Sequence, residues 1–188
     1  MLNISNRKNK IIELIVAAVL VSIGVVLRLI PHLPNFTPVL VISLFAGVYF
    51  SKKIALIVPI VTMLISDAFI GSYDLKVMLS VYSSLMLCSF LGFLVKKNKK
   101  WYTILGGSLS CAVLFYLITN FAVFAFTPWY PKNIIGLIDC YVLALPFFKY
   151  TILGNLFYAP VFFGIYEGVK SLIAKTVNGY TAHKSTAV

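Results

Sequence analysis

The sequence predicts an all-α integral membrane protein, a bundle of six transmembrane helices. Its composition, the recurrence of long apolar segments and the distribution of Lys and Arg support this prediction. Of the 188 residues, 61% are hydrophobic and 11% are charged, and the mean hydropathy is +0.98. A soluble domain carries about 25% charged residues. This chain therefore has too few charges to cover a surface that faces water.

Apolar segments long enough to cross a membrane recur along the chain. The first one, IIELIVAAVLVSIGVVLRLI, is too long for the core of a signal peptide and no small-residue cleavage site follows it, which favours an uncleaved span. The domain organisation is then a tail over 1–10, one six-helix domain over 11–170 and a tail over 171–188. At about 20 residues per span, the predicted helices cover residues 11–30, 36–50, 54–72, 75–95, 101–126 and 144–169.

Basic residues occur in alternate connections of this six-helix arrangement. The positive-inside rule therefore places these connections and both termini in the cytoplasm. The net charge of +11 then reflects topology and contact with the lipid bilayer, and we expect no nucleic-acid partner. The residues concerned are 12 of the 16 Lys and Arg: Arg7, Lys8, Lys10, Lys52, Lys53, Lys96, Lys97, Lys99, Lys100, Lys170, Lys175 and Lys184.

Several polar residues lie inside the predicted spans, where a charge costs about 2.5–3.5 kcal/mol at the helix centre. Arg28, Asp67 and Asn120 each lie towards the outer end of a different predicted helix. We therefore expect them at one level, in the outer half of the membrane. For Arg28, an alternative is that its side chain extends outwards to lipid headgroups.

Lys149 and Asn155 belong to the sixth predicted helix, whose start near Pro146 suits a helix N-terminus. A cation in the first turns opposes the helix dipole, so Lys149 requires a nearby anion. That anion is either a ligand or an acid of the protein, namely Asp67, Asp74 or Asp139. Asn155 lies about two turns further on and shares a polar face with Thr151 and Tyr158.

The outer connections PHLPNFTP, GSYDLK and FTPWYPKNIIGLIDCY are poor in Lys and Arg. They contribute His32, Asn35 and Tyr130 as further candidate binding residues. Tyr and Trp also concentrate at membrane interfaces, so an aromatic belt is an alternative interpretation of Tyr130 and Trp129.

Motifs for catalysis and for metal binding are missing from the sequence. It contains no HExxH, GxSxG, Walker A or CxxC pattern. We therefore expect no enzyme, no cofactor and no metal site, although an intramembrane enzyme that uses Asp67 or Asp74 stays open. The three cysteines have no ligand spacing, and small buried hydrophobic residues are the simpler interpretation of at least two of them.

The segments PHLPNFTP, SD, TNF, YP and PFFKYTILGNLFY occur in this order. The pattern resembles a family of small bacterial membrane proteins of unassigned function and, through it, the substrate-binding (S) components of energy-coupling-factor (ECF) transporters. The resemblance implies a bacterial cytoplasmic membrane and a six-helix bundle that captures a vitamin-like molecule from outside. It also implies a separate transmembrane scaffold and a pair of ATPases as partners. Ala18 and Ser22 form a small-xxx-small pair that would meet this scaffold.

These observations lead to one hypothesis and two alternatives. In the hypothesis, the stretch LRLIPHLPNFTPVLVISLF closes an outward-facing pocket for a small anionic or zwitterionic substrate. Arg28 and Lys149 would bind its negative group, and Asn120, Asn155 and Asp67 would hydrogen-bond to it. In the first alternative, the protein transports nothing and the same polar groups pair with one another to hold the helices in register. The second alternative is the intramembrane enzyme.

Overall fold

Six helices form the part of the chain that the computed structural model describes, which is the backbone of residues 2–71 and 73–185 and the side chains of residues 9–71 and 73–176. Five of these helices contain a segment long and apolar enough to cross a membrane, and α2 is the exception. This is the architecture of a helical membrane protein, as predicted. The helices are α1 (Leu2–Leu29), α2 (Val39–Tyr49), α3 (Lys52–Ile70), α4 (Leu75–Val95), α5 (Trp101–Phe126) and α6 (Ile134–Ser185).

The short helix α2 lies at the centre of the bundle. All of its residues from Val39 to Val48 are buried, and it packs against each of the other five helices. The neighbours around it are packed in the order α1, α3, α4, α5 and α6. Within the described residues α1 and α6 do not pack against each other, so the ring is open between them.

Two glycines allow α2 and α4 to approach backbone to backbone. A Cβ atom added to Gly47 would lie 2.0 Å from the carbonyl oxygen of Ser89, and one added to Gly92 would lie 2.4 Å from that of Leu44. No side chain fits at either position without separating the helices. Small residues permit this kind of close contact between membrane helices.

Helix α2 is too short to cross a membrane alone. Its 11 residues rise about 16 Å, against a hydrocarbon core of about 30 Å. A Cβ atom on Gly24 would lie 2.9 Å from Ile42 Cδ1 and 2.7 Å from Thr62 Cγ2, which puts the first turn of α2 level with the middle of α3. Helix α2 begins at Val39, directly after Pro38, so the predicted start at residue 36 is wrong.

The irregular segment 30–38 supplies the rest of this depth. The Phe36 N–H donates to the Leu33 carbonyl oxygen at 2.9 Å, and Asn35 has φ 60°. Pro34 followed by a residue with positive φ is the arrangement of a type II turn, in which Asn is tolerated. The Phe36 ring then packs against α6, with its centroid 5.4 Å from that of Tyr158. The turn thus anchors the segment to the bundle.

Helix α6 begins at Ile134, so the predicted start at residue 144 is wrong. The side chain of Asn133 caps this end, since its Oδ1 accepts the Gly136 N–H at 2.9 Å. Pro146 lies inside the helix, where membrane helices tolerate the missing hydrogen bond. Lys149 is consequently about four turns into α6, and the argument from the helix dipole does not apply to it.

Basic segments that are distant in sequence meet at one end of the bundle, called the lysine-rich end. The Lys99 ammonium lies 5.1 Å from the centre of the Tyr49 ring, and Tyr49 precedes Lys52 and Lys53 by a few residues. Lys10 lines a cavity together with Tyr49. At the opposite end, the loop end, α1 ends and α2 is preceded by segment 30–38. Arg7, Lys8 and Lys184, which contributed to the topology prediction, lie outside the residues whose side chains are described.

The contact between α2 and α4 predicts which glycines tolerate alanine. Gly47→Ala or Gly92→Ala should destabilise the fold by about 1–3 kcal/mol, because the added methyl group meets backbone atoms. Gly106→Ala is the matched control, since a Cβ atom there meets nothing within 4 Å, and it should be neutral or slightly stabilising. Thermal unfolding of the detergent-solubilised variants, followed by circular dichroism, measures the difference. Equal midpoints for all three variants would contradict the close packing.

Candidate functional site

A cavity of about 430 Å³ opens at the loop end of the bundle. Segment 30–38 and the first residues of α2 form one side, and α1, α3, α4, α5 and α6 contribute the others. Its deeper lining includes the apolar side chains of Leu40, Met63, Leu85 and Phe115. Its polar lining residues are Arg28, His32, Asn35, Thr37, Tyr73 and Thr151.

An ion pair between Arg28 and Asp67 lies beside this cavity, whereas the sequence hypothesis had both residues bind the substrate. Arg28 Nη1 donates to Asp67 Oδ1 at 2.9 Å, and the Tyr82 hydroxyl donates to Asp67 Oδ2 at 2.9 Å. Nη1 also contacts Ser66 Oγ and Met63 Sδ. The side chains of Arg28 and Asp67 are 17% and 9% exposed. Asp67 thus compensates the charge of Arg28 and fixes its position.

Arg28 keeps donors that this network does not use. A guanidinium carries five N–H donors, and every hydrogen bond that Arg28 makes to a described residue uses Nη1. Among described side chains, the buried N or O atom without a partner is Asn155 Oδ1. The Nε and Nη2 groups of Arg28 therefore have no partner among the described residues but are not sealed off, and Arg28 lines the cavity.

The N-terminus of α2 also contributes to the electrostatics of the cavity. Val39 and Leu40, the first two residues of α2, line it, and no side chain caps this helix end. The first N–H groups of a helix have no partner within the helix and carry its positive partial charge. Arg28 and the start of α2 therefore give the cavity a positive potential, which Asp67 partly offsets.

His32, Asn35 and Tyr73 form the exposed rim of the cavity. His32 Nδ1 is hydrogen-bonded to the Ile30 carbonyl oxygen at 2.7 Å, which holds the imidazole ring against its own loop. Partial burial raises the pKa of Tyr73 to about 12, and the Asp67 carboxylate adds to this rise while Arg28 opposes it. The Tyr73 hydroxyl is therefore protonated at neutral pH and available as a donor.

A smaller cavity of about 100 Å³ adjoins the first one, with Asn35, Phe115 and Thr151 in the lining of both. Asn120 lies in this second cavity, and its Nδ2 donates to the Tyr116 carbonyl oxygen at 2.7 Å. Of the predicted binding residues, Arg28, His32 and Asn35 thus line the first cavity, and Asn120 lines the adjoining one.

Three predicted residues lie away from this space. Lys149 is exposed on α6 and Tyr130 is half-buried after α5, and neither lines either cavity. Asn155 is buried between α5 and α6, where its Nδ2 donates to the Ser108 carbonyl oxygen at 2.7 Å. Asn155 thus joins two helices. Asp67 belongs to the site only indirectly, through Arg28.

The predicted scaffold-facing pair lies on the outer surface of α1. Ala18 and Ser22 are both exposed, and the Ser22 hydroxyl donates to the Ala18 carbonyl oxygen at 3.0 Å. No described residue of the chain covers Ala18 or Ser22. The contact of Ala18 and Ser22 with a separate scaffold remains a prediction.

Sequence reasoning missed several residues of the site. Thr151 was noted only for the face it shares with Asn155, and Thr37, Tyr73 and Tyr82 were not singled out as binding residues. Hydroxyl groups are common in membrane helices and often bond to their own backbone, so sequence gives no signal for which of them face a cavity. In the ranges with described side chains, no group of three or more His, Cys, Asp or Glu residues could hold a metal ion.

The fold and the site together define a helical membrane protein with a polar-rimmed cavity at one end of its bundle. The chain matches DUF6580, a family of unknown function, over residues 8–177, and it belongs to this family. No curated protein and no solved structure matches it. The predicted membership of a family of unassigned function is thus confirmed, and the relation to S components stays a prediction.

The ion pair predicts coupled effects of substitution. Asp67→Asn should cost about 1–3 kcal/mol of stability, because it leaves a largely buried guanidinium without its anion. In an Arg28→Gln background the same substitution should cost clearly less, since that charge is already gone. Thermal unfolding of the two single variants and the double variant measures the coupling. Additive effects would contradict the pairing.

Proposed function

We propose that this protein binds a small molecule with a carboxylate and an apolar body, taken from the outer side of a bacterial cytoplasmic membrane, and serves its uptake. In this proposal it acts as an S-component-like capture protein of an ECF-type transporter. The proposal depends on Arg28 at the wall of a cavity, because its position is fixed by Asp67 while its Nε and Nη2 donors bond to no described residue. Planar guanidinium donors match a carboxylate better than any other side chain does.

The dimensions and lining of the cavity support a small organic ligand. Its volume of about 430 Å³ falls within the usual range of ligand pockets, about 300–1,000 Å³. Apolar side chains such as Met63, Leu85 and Phe115 would contact the body of the molecule. The hydroxyl and amide groups of Thr37, Asn35 and Tyr73 would orient its polar parts.

The charges in the lining of the cavity limit the charge that its ligand can carry. Arg28 is already paired with Asp67, and Lys149 lies outside the cavity, so the site contains one compensated cation and the positive end of α2. A single carboxylate or a zwitterion fits this balance. A multiply charged anion would need further cations, which the described lining does not supply.

The uptake part of the proposal depends on the predicted topology and on partners. The lysine-rich end would face the cytoplasm by the positive-inside rule, which turns the cavity outwards. The exposed Ala18 and Ser22 would provide a close-packing surface for a transmembrane scaffold, which a pair of ATPases would drive.

A purely structural membrane protein is the second candidate, and specific contacts favour it. The bonds between Arg28 and Asp67 and between Asn155 and Ser108 each join two helices, as that alternative requires. An enzyme has less support. Asp67 is bonded to Arg28 and Tyr82, and Asp74 caps α4 by accepting the N–H groups of its first turn.

Ligand-dependent stability distinguishes the two leading candidates. A ligand of the native state stabilises by RT ln(1 + [L]/Kd), about 2.7 kcal/mol at 100 times Kd. We expect at least one member of a panel of small carboxylates and zwitterions to raise the thermal midpoint of the purified protein. Arg28→Lys should abolish this rise, because lysine keeps the charge beside Asp67 but loses the donor fork.

Lys149→Gln is the matched control, since it removes a cation outside the cavity and should retain the full ligand response. A response that is lost with Lys149→Gln and retained with Arg28→Lys would contradict the proposed site. If no carboxylate or zwitterion shifts the midpoint of the wild-type protein, while Asp67→Asn lowers it, the structural candidate is favoured.

A further inference from the structure

A third cavity, of about 510 Å³, lies at the lysine-rich end and is separate from the two described above. It is bounded by residues 9–16 of α1, the junction between α2 and α3, and Tyr166 of α6. Because α1 and α6 do not pack against each other in the described part of the chain, the cavity lies where the ring of helices is open to the side.

Charges of both signs line this cavity. Glu13 Oε1 accepts the backbone N–H of Ser51, while no described residue donates to its second oxygen. Lys10 lines the same cavity one helical turn away and forms no ion pair with Glu13. A carboxylate oxygen and an ammonium group are thus both presented to the cavity without a protein partner among the described residues.

Two aromatic rings complete the cavity next to a second carboxylate. The ring centroids of Tyr49 and Tyr166 are 4.3 Å apart, and the Tyr49 hydroxyl donates to Glu167 Oε1 at 2.7 Å. The ammonium of Lys99 already lies 5.1 Å from the centre of the Tyr49 ring. Electron-rich ring faces beside carboxylates are the surroundings that an ammonium group prefers.

We propose that this cavity binds the headgroup of an aminophospholipid. The primary ammonium of the lipid lies between Glu13 and the Tyr49–Tyr166 pair, and its phosphate meets Lys10. The acyl chains follow the open side between α1 and α6. Ile12, which lines the cavity, and Ile165, next to Tyr166 in sequence, are exposed apolar residues. A phosphate-linked ammonium is the shared chemistry of such a lipid and of free phosphoethanolamine, and the lateral opening favours the lipid.

The chemistry of the lining distinguishes between common headgroups. A primary ammonium donates hydrogen bonds to carboxylates, whereas a choline headgroup has no N–H to donate. A phosphatidylglycerol headgroup carries no cation for Glu13 and Glu167 and would meet their negative charge. The site therefore selects phosphatidylethanolamine over both.

The test uses the full chain in nanodiscs with equal parts of phosphatidylethanolamine, phosphatidylglycerol and phosphatidylcholine. Native mass spectrometry after gentle release identifies the lipids that stay bound. We expect phosphatidylethanolamine to be enriched about tenfold over each other lipid, a preference that one charge-assisted hydrogen bond can supply. Glu13→Gln with Glu167→Gln should reduce this enrichment to the proportions of the mixture.

Asp139→Asn is the matched control, because it makes the same chemical change at an exposed residue far from the cavity and should retain the enrichment. Thermal midpoints confirm that each variant is folded. Equal retention of the three lipids, or an enrichment that survives the double substitution, would overturn the proposal. So would stabilisation by free phosphoethanolamine without retention of the diacyl lipid.

Discussion

The structure depends on one constraint, the shortness of α2. An 11-residue helix covers about half of a hydrocarbon core, so irregular backbone must continue the path of the chain. Such backbone is stable at membrane depth only where protein surrounds it or a cavity lets water reach it. Segment 30–38 meets this condition through its internal turn, the packing of Phe36 on α6 and the cavity beside it. The cavity thus lies beside the irregular segment that precedes α2.

The same constraint explains why charged residues collect at this end. Once a cavity admits water, Arg28 can reach it while its charge is compensated from behind by Asp67 and Tyr82. The burial of Asp67 would be costly without these donors. The proposed function therefore assigns different atoms of one guanidinium to stability and to binding: Nη1 bonds to Asp67, and Nε and Nη2, which bond to no described residue, would meet the ligand.

The sequence predicted the all-helical membrane fold and the limits of α4 and α5, because hydropathy is a local property. It placed Arg28 and Asp67 at one level of the bundle but did not predict their ion pair. It placed the start of α6 wrongly because Pro146 suits a helix start equally well, and the cap at Asn133 lies in a stretch that also suits a loop. The cavity at the lysine-rich end, with Glu13 in its lining and Glu167 beside Tyr166, was missed. These residues come from opposite ends of the chain, so only the packing of α1 and α6 around α2 brings them together.

The central claim is that the cavity at the loop end holds a small molecule through Arg28. Small-molecule mass spectrometry on protein gently extracted from its own membranes tests this claim most directly. The account predicts one carboxylate-bearing compound in a ratio of about one per chain, as tight binding to a single site requires, and its loss from the Arg28→Lys protein. Recovery of lipid alone from the wild-type protein, or of the same compound from both proteins, would contradict it.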